Sequence, residues 1–305
     1  MNKKSKGYVL AIVLTIIAIS LGAYELEKSG VKLNIFNKNE EIIVQQAEEI
    51  KEENVNPNRE IKLSKSDEEA LKANPMGEKV KKNFNYPEKE KIHLKIYNAA
   101  DNFKTCKGEF IEERAVDNSN MKCSFIVDTE NKASITVDDA AGKKPVTLIY
   151  HNDKRKVFDD NDKIYREFEE IQPKRKSAIS NSLDLFLHPD HARSDLGYLG
   201  ISKFIISADS IAWGLHFYED WNYTESTFLG RDAYKLEGVI DGALTKHNQG
   251  KFSLMMDKET GIILQFLSFD DNGGIKDKIE CTKLELNTPI DESVYSKDTS
   301  GYAKK

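Results

Sequence analysis

Between Phe228 and Tyr295 apolar and polar residues alternate in runs of strand length, and the runs end in turn sequences, Asp257 to Gly261 and Asp271-Asn272-Gly273-Gly274. β-Branched and aromatic runs punctuated in this way predict an antiparallel meander. In the run Ile262 to Phe269, Ile263, Leu267 and Phe269 fall on one side with Gln265, while Ile262, Leu264 and Phe266 fall on the other. Antiparallel sheets commonly leave one face to water, so a strand apolar on both faces needs cover on both, from helices or from a ligand. In the preceding run Phe252, Leu254 and Met256 alternate with Ser253 and Met255. Two flexible thioethers lie there side by side, suited to an irregular core or an adaptable binding surface.

Upstream, Ile92, Ile96, Ala99, Ala100 and Phe103 make an apolar stripe that predicts a helix from Lys91 to about Phe103. Strands are predicted at Thr105 to Arg114, Met121 to Asp128, Ala133 to Asp138 and Pro145 to Asn152, and in a hairpin of Arg155 to Phe158 with Lys163 to Phe168. Met121, Cys123, Phe125 and Val127 share one face, the alternation of a half-buried strand. Lys176 to Asp220 breaks the β pattern. Ile179, Leu183, Phe186 and Leu187 keep helical spacing and Leu196 to Tyr218 is a second mixed stretch, which predicts two helices separated by Pro189, Gly197 and Gly200. Helices inserted between two runs of strands suit a lid over an open sheet, with ten or eleven strands in all. Both tryptophans fall in the cluster Trp213, Phe217, Tyr218, Trp221 and Tyr223, which is either lid-to-sheet core or the lining of a cavity mouth.

The N-terminus differs. Tyr8 to Tyr24 carries no charge and follows Lys3, Lys4 and Lys6. As a helix the run is about 26 Å long, just able to span a hydrocarbon core of about 30 Å. Glu25 and Glu27 after it favour a signal anchor with a cytoplasmic N-terminus and the remainder outside. A cleaved signal peptide is the competing reading, with Ala18-Ile19-Ser20 as the site. No cysteine follows the run, which argues against a bacterial lipoprotein. Glu25 to Glu90 is rich in Glu, Lys and Asn with few aromatics, the composition of a partly helical stalk. Within it Ser66-Asp67-Glu68-Glu69 has the form of a capping box, for a helix that Asn74-Pro75 ends. A dimerising coiled coil around Ile43, Ala47 and Ile50 would last barely two turns.

Charge narrows the partners. A net charge of −6 with both signs interspersed gives no footprint for nucleic acid. Lys154-Arg155-Lys156 and Lys174-Arg175-Lys176 read as solvated turns. Of Cys106, Cys123 and Cys281, the first two would pair only if their Cα atoms came within about 7 Å. With Asp117 to Asn120 in the turn, Cys123 falls opposite about Glu112, which predicts buried free thiols. His188-Pro189-Asp190-His191, with Asp195 and His216, is the best metal candidate. The intervening proline favours a helix end or loop, and no metal or cofactor is expected. Asp159-Asp160-Asn161-Asp162 lacks the glycine and glutamate of an EF-hand loop and reads as a hairpin turn. No nucleophile elbow or phosphate-cradling loop is present in the sequence, so binding rather than catalysis is expected.

Three motifs carry a family likeness: Gly230-Arg231-Asp232-Ala233-Tyr234, then Asp257-Lys258-Glu259-Thr260-Gly261 entering an apolar strand, then Leu286-Asn287-Thr288-Pro289-Ile290-Asp291-Glu292-Ser293-Val294-Tyr295. Together they resemble the lipoprotein-carrier superfamily of LolA and LolB type, which includes MucB/RseB-type sensors and membrane-anchored Gram-positive relatives. The resemblance implies an α+β domain, a curved, half-open antiparallel β-barrel with a helical lid whose apolar hollow accepts acyl chains. The expected organisation is a tail and signal anchor (1–24), a charged stalk (25–90) and a carrier-like domain (91–300). Candidate cavity residues are Trp213, Phe217, Trp221, Leu254, Met255, Met256, Leu264 and Phe266. The expected function is a membrane-anchored extracytoplasmic protein, of a Gram-positive cell envelope, that holds a lipid, an acylated protein or another apolar ligand. A sensor of an envelope signalling partner, working with a membrane protein, and a stalked surface interaction module are the alternatives.

Overall fold

A computed structural model describes residues 63–305 apart from positions 117, 142, 175, 176 and 247. The chain divides into two units, 1–53 and 54–305, and every described residue belongs to the second. The predicted signal anchor and most of the predicted stalk lie outside the described residues. Among the described residues no helix is long and apolar enough to cross a membrane.

The last part of the predicted stalk is folded. Helix α1 (Lys65–Ala73) starts at Ser64, whose hydroxyl accepts from the Asp67 amide at 3.1 Å, two residues before the predicted cap. It ends before Pro75, which disfavours helical backbone in the residue ahead of it. Leu71 of α1 and Val80 of α2 (Gly77–Lys81) are buried in a small apolar cluster with Leu183, Phe186, Phe217 and Leu244. Lys79 adds ion pairs to Asp220 at 2.6 Å and Asp241 at 2.9 Å. A few apolar anchors suffice where distant segments cover them, which mean composition does not register.

Helix α3 (Pro87–Tyr97) begins on a proline, whose missing N–H costs nothing in the first turn. It is shorter than predicted, because Asn98 leaves the helix and exchanges hydrogen bonds with the Ile179 backbone at 2.7 and 2.8 Å. One 3-10 turn, Ala99–Asp101, follows.

The strands are β1 (Thr105–Arg114), β2 (Ser119–Asp128), β3 (Ala133–Ala140), β4 (Val146–His151), β5 (Lys154–Asp159), β6 (Ile164–Glu169), β7 (Trp221–Phe228), β8 (Arg231–Ile240), β9 (Gly250–Asp257), β10 (Ile263–Phe269), β11 (Ile275–Leu286) and β12 (Ala303–Lys304). They form one sheet in the order β12-β6-β5-β4-β3-β2-β1-β11-β10-β9-β8-β7. All neighbours are antiparallel except β12 and β6. The sheet is open, with β7 and β12 at its edges. The expected barrel of ten or eleven strands is therefore corrected to an open sheet of twelve. The short β12, beyond the predicted strands, completes that count.

Pairing of β1 with β11 joins the first six strands to the meander, and pairing of β1 with β2 sets Cys123 opposite Phe110 and Cys106 opposite Val127. Cys123 thus lies two residues from its predicted partner, and all three cysteines are free and buried. Gly108 sits opposite Phe125, where a Cβ would come 2.6 Å from the Lys283 carbonyl oxygen and 2.5 Å from the Phe125 ring. Glycine lets that ring lie on the backbone. In β10 a bulge between Ile263 and Gln265 breaks the simple alternation, and Ile263 and Leu264 are both buried.

Instead of two lid helices there are several short ones: α4 (Ser182–Leu187), 3-10 turns Pro189–His191 and Gly197–Phe204, and α5 (Asp209–Gly214). Gly200, at φ 57° and ψ −134°, kinks the second turn, and Ser207 with φ 52° separates it from α5. These elements and α3 cover one face of the sheet, where Ile96, Leu199, Ile205 and Leu215 pack with Phe110, Phe125, Leu236, Leu254 and Phe266. On the opposite face the chain end builds a second core, with Tyr295 and Tyr302 against Ile149 and Phe158.

Candidate functional site

The lid is held to the sheet by buried polar ties. Lys89 of α3 donates to the carbonyls of Tyr218 at 2.7 Å and Trp221 at 2.5 Å and to Asn222 Oδ1 at 3.1 Å. Arg193 reaches Asp195 at 2.7 and 2.9 Å and Asp101 at 2.7 and 3.2 Å, a fork-to-carboxylate geometry. Lys89 thus ties α3 to β7, and Arg193 ties its own loop to the 3-10 turn after α3.

Seven of the eight predicted cavity residues are buried, and they divide between two clusters. Trp221, Leu254, Met255, Met256, Leu264 and Phe266 belong to the main core. Phe217 joins the cluster of α1 and α2, where half-buried Trp213 stacks on Phe186 at 5.9 Å and donates to the Leu244 carbonyl at 3.1 Å. Met255 and Met256 point to opposite faces, since Met256 pairs with Tyr234 and Met255 with Lys235. These side chains are interior packing, and the tryptophans do not share one mouth.

The metal candidates are dispersed. His191 bonds Asp184 at 2.9 Å beside His188, Asp195 serves Arg193, and His216 is buried elsewhere in the lid. Among the described residues no group of three or more His, Cys, Asp or Glu is placed to hold a metal. In the turn after β5, Asp159 Oδ1 accepts from the amides of Asn161 at 2.8 Å and Asp162 at 3.3 Å.

Apolar surface that is not sealed lies further along the lid face, over β4 to β6. Register places Thr136, Leu148, Val157 and Arg166 in one row across β3 to β6, with Asp138, Val146 and Asp159 in the next. Gly197–Phe204 crosses β2, β3 and β4 and meets β5 at its start, where Arg155 donates to the Gly197 carbonyl at 2.9 Å. Val146, Leu148, Val157 and Ile201 are half-buried, while Phe204 and Phe168 are 43% and 48% exposed. Beneath the lid's edge the hydroxyl of Thr136, itself fully buried, has no hydrogen-bond partner, and neither has Asp138 Oδ1. Burial, with Asp139 beside it, holds the Asp138 carboxyl above its ordinary pKa. By contrast Ser134, on the same face, donates to the Tyr198 carbonyl at 2.5 Å. None of these residues was singled out from sequence. The available signal was three polar side chains, Ser134, Thr136 and Asp138, at alternate positions of β3.

No protein-family model matches the chain, and no curated protein matches it. Similar solved structures include an uncharacterized conserved protein from Thermus thermophilus, at TM-score 0.40 and 8% identity over 71% of this chain and 98% of that one. Another is the MucA/MucB complex of Pseudomonas aeruginosa, at TM-score 0.36 and 14% identity over 68% of this chain and 60% of that one, so that the likeness spans less than two thirds of its partner. A third is the lipoprotein LppX of Mycobacterium tuberculosis, at TM-score 0.36 and 11% identity over 66% and 98%. All three likenesses lie at 14% identity or below.

Proposed function

We propose that this protein is an extracytoplasmic binding protein, anchored by Tyr8 to Tyr24, that holds a lipid, an acylated protein or another apolar ligand on the lid face of its sheet. The observation that carries the reading is the half-buried strip Val146, Leu148, Val157 and Ile201, with exposed Phe168 next to it on β6. An acyl chain laid on that strip would gain about 0.8 kcal/mol for each CH₂ removed from water, and loosening of the short helices would admit it. Binding alone suffices, so no catalytic step enters.

The test is native mass spectrometry with lipid extraction on the full chain purified from its own envelope. An acyl lipid is expected, retained by the wild type and lost in Leu148→Glu and Val157→Glu proteins of unchanged circular dichroism. A folded chain that neither retains lipid nor takes it up from vesicles overturns the reading. Resistance of the chain to alkaline extraction from membranes checks the anchor.

A further inference from the structure

Burial of a hydroxyl without a partner is costly, and protein interiors seldom tolerate it. Thr136 Oγ1 and Asp138 Oδ1 are two such atoms, on residues two apart on one strand face whose Cα atoms lie about 7 Å apart along β3. Their surroundings are otherwise apolar: Phe125 and Leu148 flank Thr136, and Cys123 and Val146 flank Asp138. The lid reaches Thr136 through Gly200, which has a positive φ that other residues rarely adopt and where a Cβ would lie 3.3 Å from the hydroxyl. The kink therefore brings backbone over Thr136 but no side chain to satisfy it. Among the charged groups, Asp139 and Lys143 act on Asp138, and Arg166 ends the Thr136 row.

We infer that Thr136 and Asp138 receive the polar head of the ligand, a long-chain amine, whose apolar chain runs over Leu148 and Val157 toward Phe168. Asp138 Oδ1 is a bare acceptor and the Thr136 hydroxyl can accept as well as donate, and an ammonium brings up to three donors and a charge complementary to the carboxylate. A carboxylate or phosphate head would meet Asp138 with like charge. The inference rests on the apolar reading of this strip and adds the chemistry of the head. A lipid amine and the free α-amino group of an acylated peptide share that chemistry.

The experiment compares tetradecylamine, tetradecanol and tetradecanoate, each below its critical micelle concentration, by calorimetric titration of the full chain at pH 7. The amine is expected to bind about tenfold or more tightly than the carboxylate, the worth of one charge-assisted hydrogen bond. Asp138→Asn, which keeps shape, should erase that preference, and Thr136→Val should weaken amine and alcohol together. Equal binding of amine and carboxylate by the wild type, or a preference that survives Asp138→Asn, overturns the head-group assignment and leaves the apolar strip standing. Failure of all three probes overturns both. A lipidated peptide with a free N-terminus, compared with its N-acetylated form, distinguishes the two sources of the amine.

Discussion

The imidazoles of His93 and His216 meet edge to face inside the lid, with ring centroids 4.6 Å apart and planes at 89°. His93 Nε2–H donates to the Ala212 carbonyl at 2.7 Å, which leaves Nδ1 to accept from the Tyr218 hydroxyl at 2.9 Å. His216 Nδ1–H donates to the Trp213 carbonyl at 3.0 Å, and its Nε2 is buried without a hydrogen bond, facing the Ser182 backbone. Tyr97 and Glu90 of α3, Tyr218 before β7 and Asp209 of α5 are the other titratable groups around the pair. Two neutral rings thus fill the junction of α3, α4 and α5.

Acid should loosen that junction. Burial holds His93 well below its ordinary pKa, with His216 adding to the effect, and burial lowers His216 to about 4. The unfolded chain takes up these protons near pH 6.5 and the folded one only lower, so the stabilisation is complete above about pH 6.5 and is lost as the pH falls toward 4. Each histidine contributes a slope of up to about 1.4 kcal/mol per pH unit. Urea titrations at pH 7, 6 and 5 should show the decline, and His216→Phe should flatten it. A level stability between pH 6.5 and 5 would falsify this account.

Arg193, 1% exposed at its side chain, is held between Asp101 and Asp195. Removing one partner of a buried pair leaves an uncompensated charge, at a cost of about 3–5 kcal/mol. Asp195→Ala should therefore destabilise the domain by that amount in denaturant unfolding. A loss below about 1 kcal/mol would show that the clamp contributes little net stability.

Gly108→Ala would press a methyl group onto the Phe125 ring and the Lys283 carbonyl. Overpacking of this kind costs about 1–3 kcal/mol, visible as a lower melting temperature. Pairing the change with Phe125→Leu should recover part of the loss.

The thiols should be silent in the folded state. Burial raises Cys106 and Cys123 and pushes Cys281 up to about 12, which suppresses the reactive thiolate. A thiol reagent at pH 8 should find no free group in the native protein and three after unfolding. Rapid modification of even one in the native state would place that cysteine outside the core.

Strands were legible in the chain alone, because alternation and turn residues are local signals. The Asp257 to Gly261 turn, the faces of β2 and the positions of β1 to β6 followed from neighbours a few residues apart. Breaks in the lid were marked as well, although only the fold showed that Gly200 and Ser207 divide the second helix into separate pieces. Relationships between distant positions came instead from tertiary packing. The docking of α1 and α2 on the domain depends on Lys79 reaching Asp220 and Asp241, and on Leu71 and Val80 meeting Leu183 and Phe217. The predicted cavity residues other than Trp213 are buried, and half-buried apolar side chains lie further along the lid face, on β4 and β5. Thr136, Leu148 and Val157 stand in one row only through the register of three strands. A shift of one residue in that register would turn each of them to the other face, so the site exists only once the strands have paired.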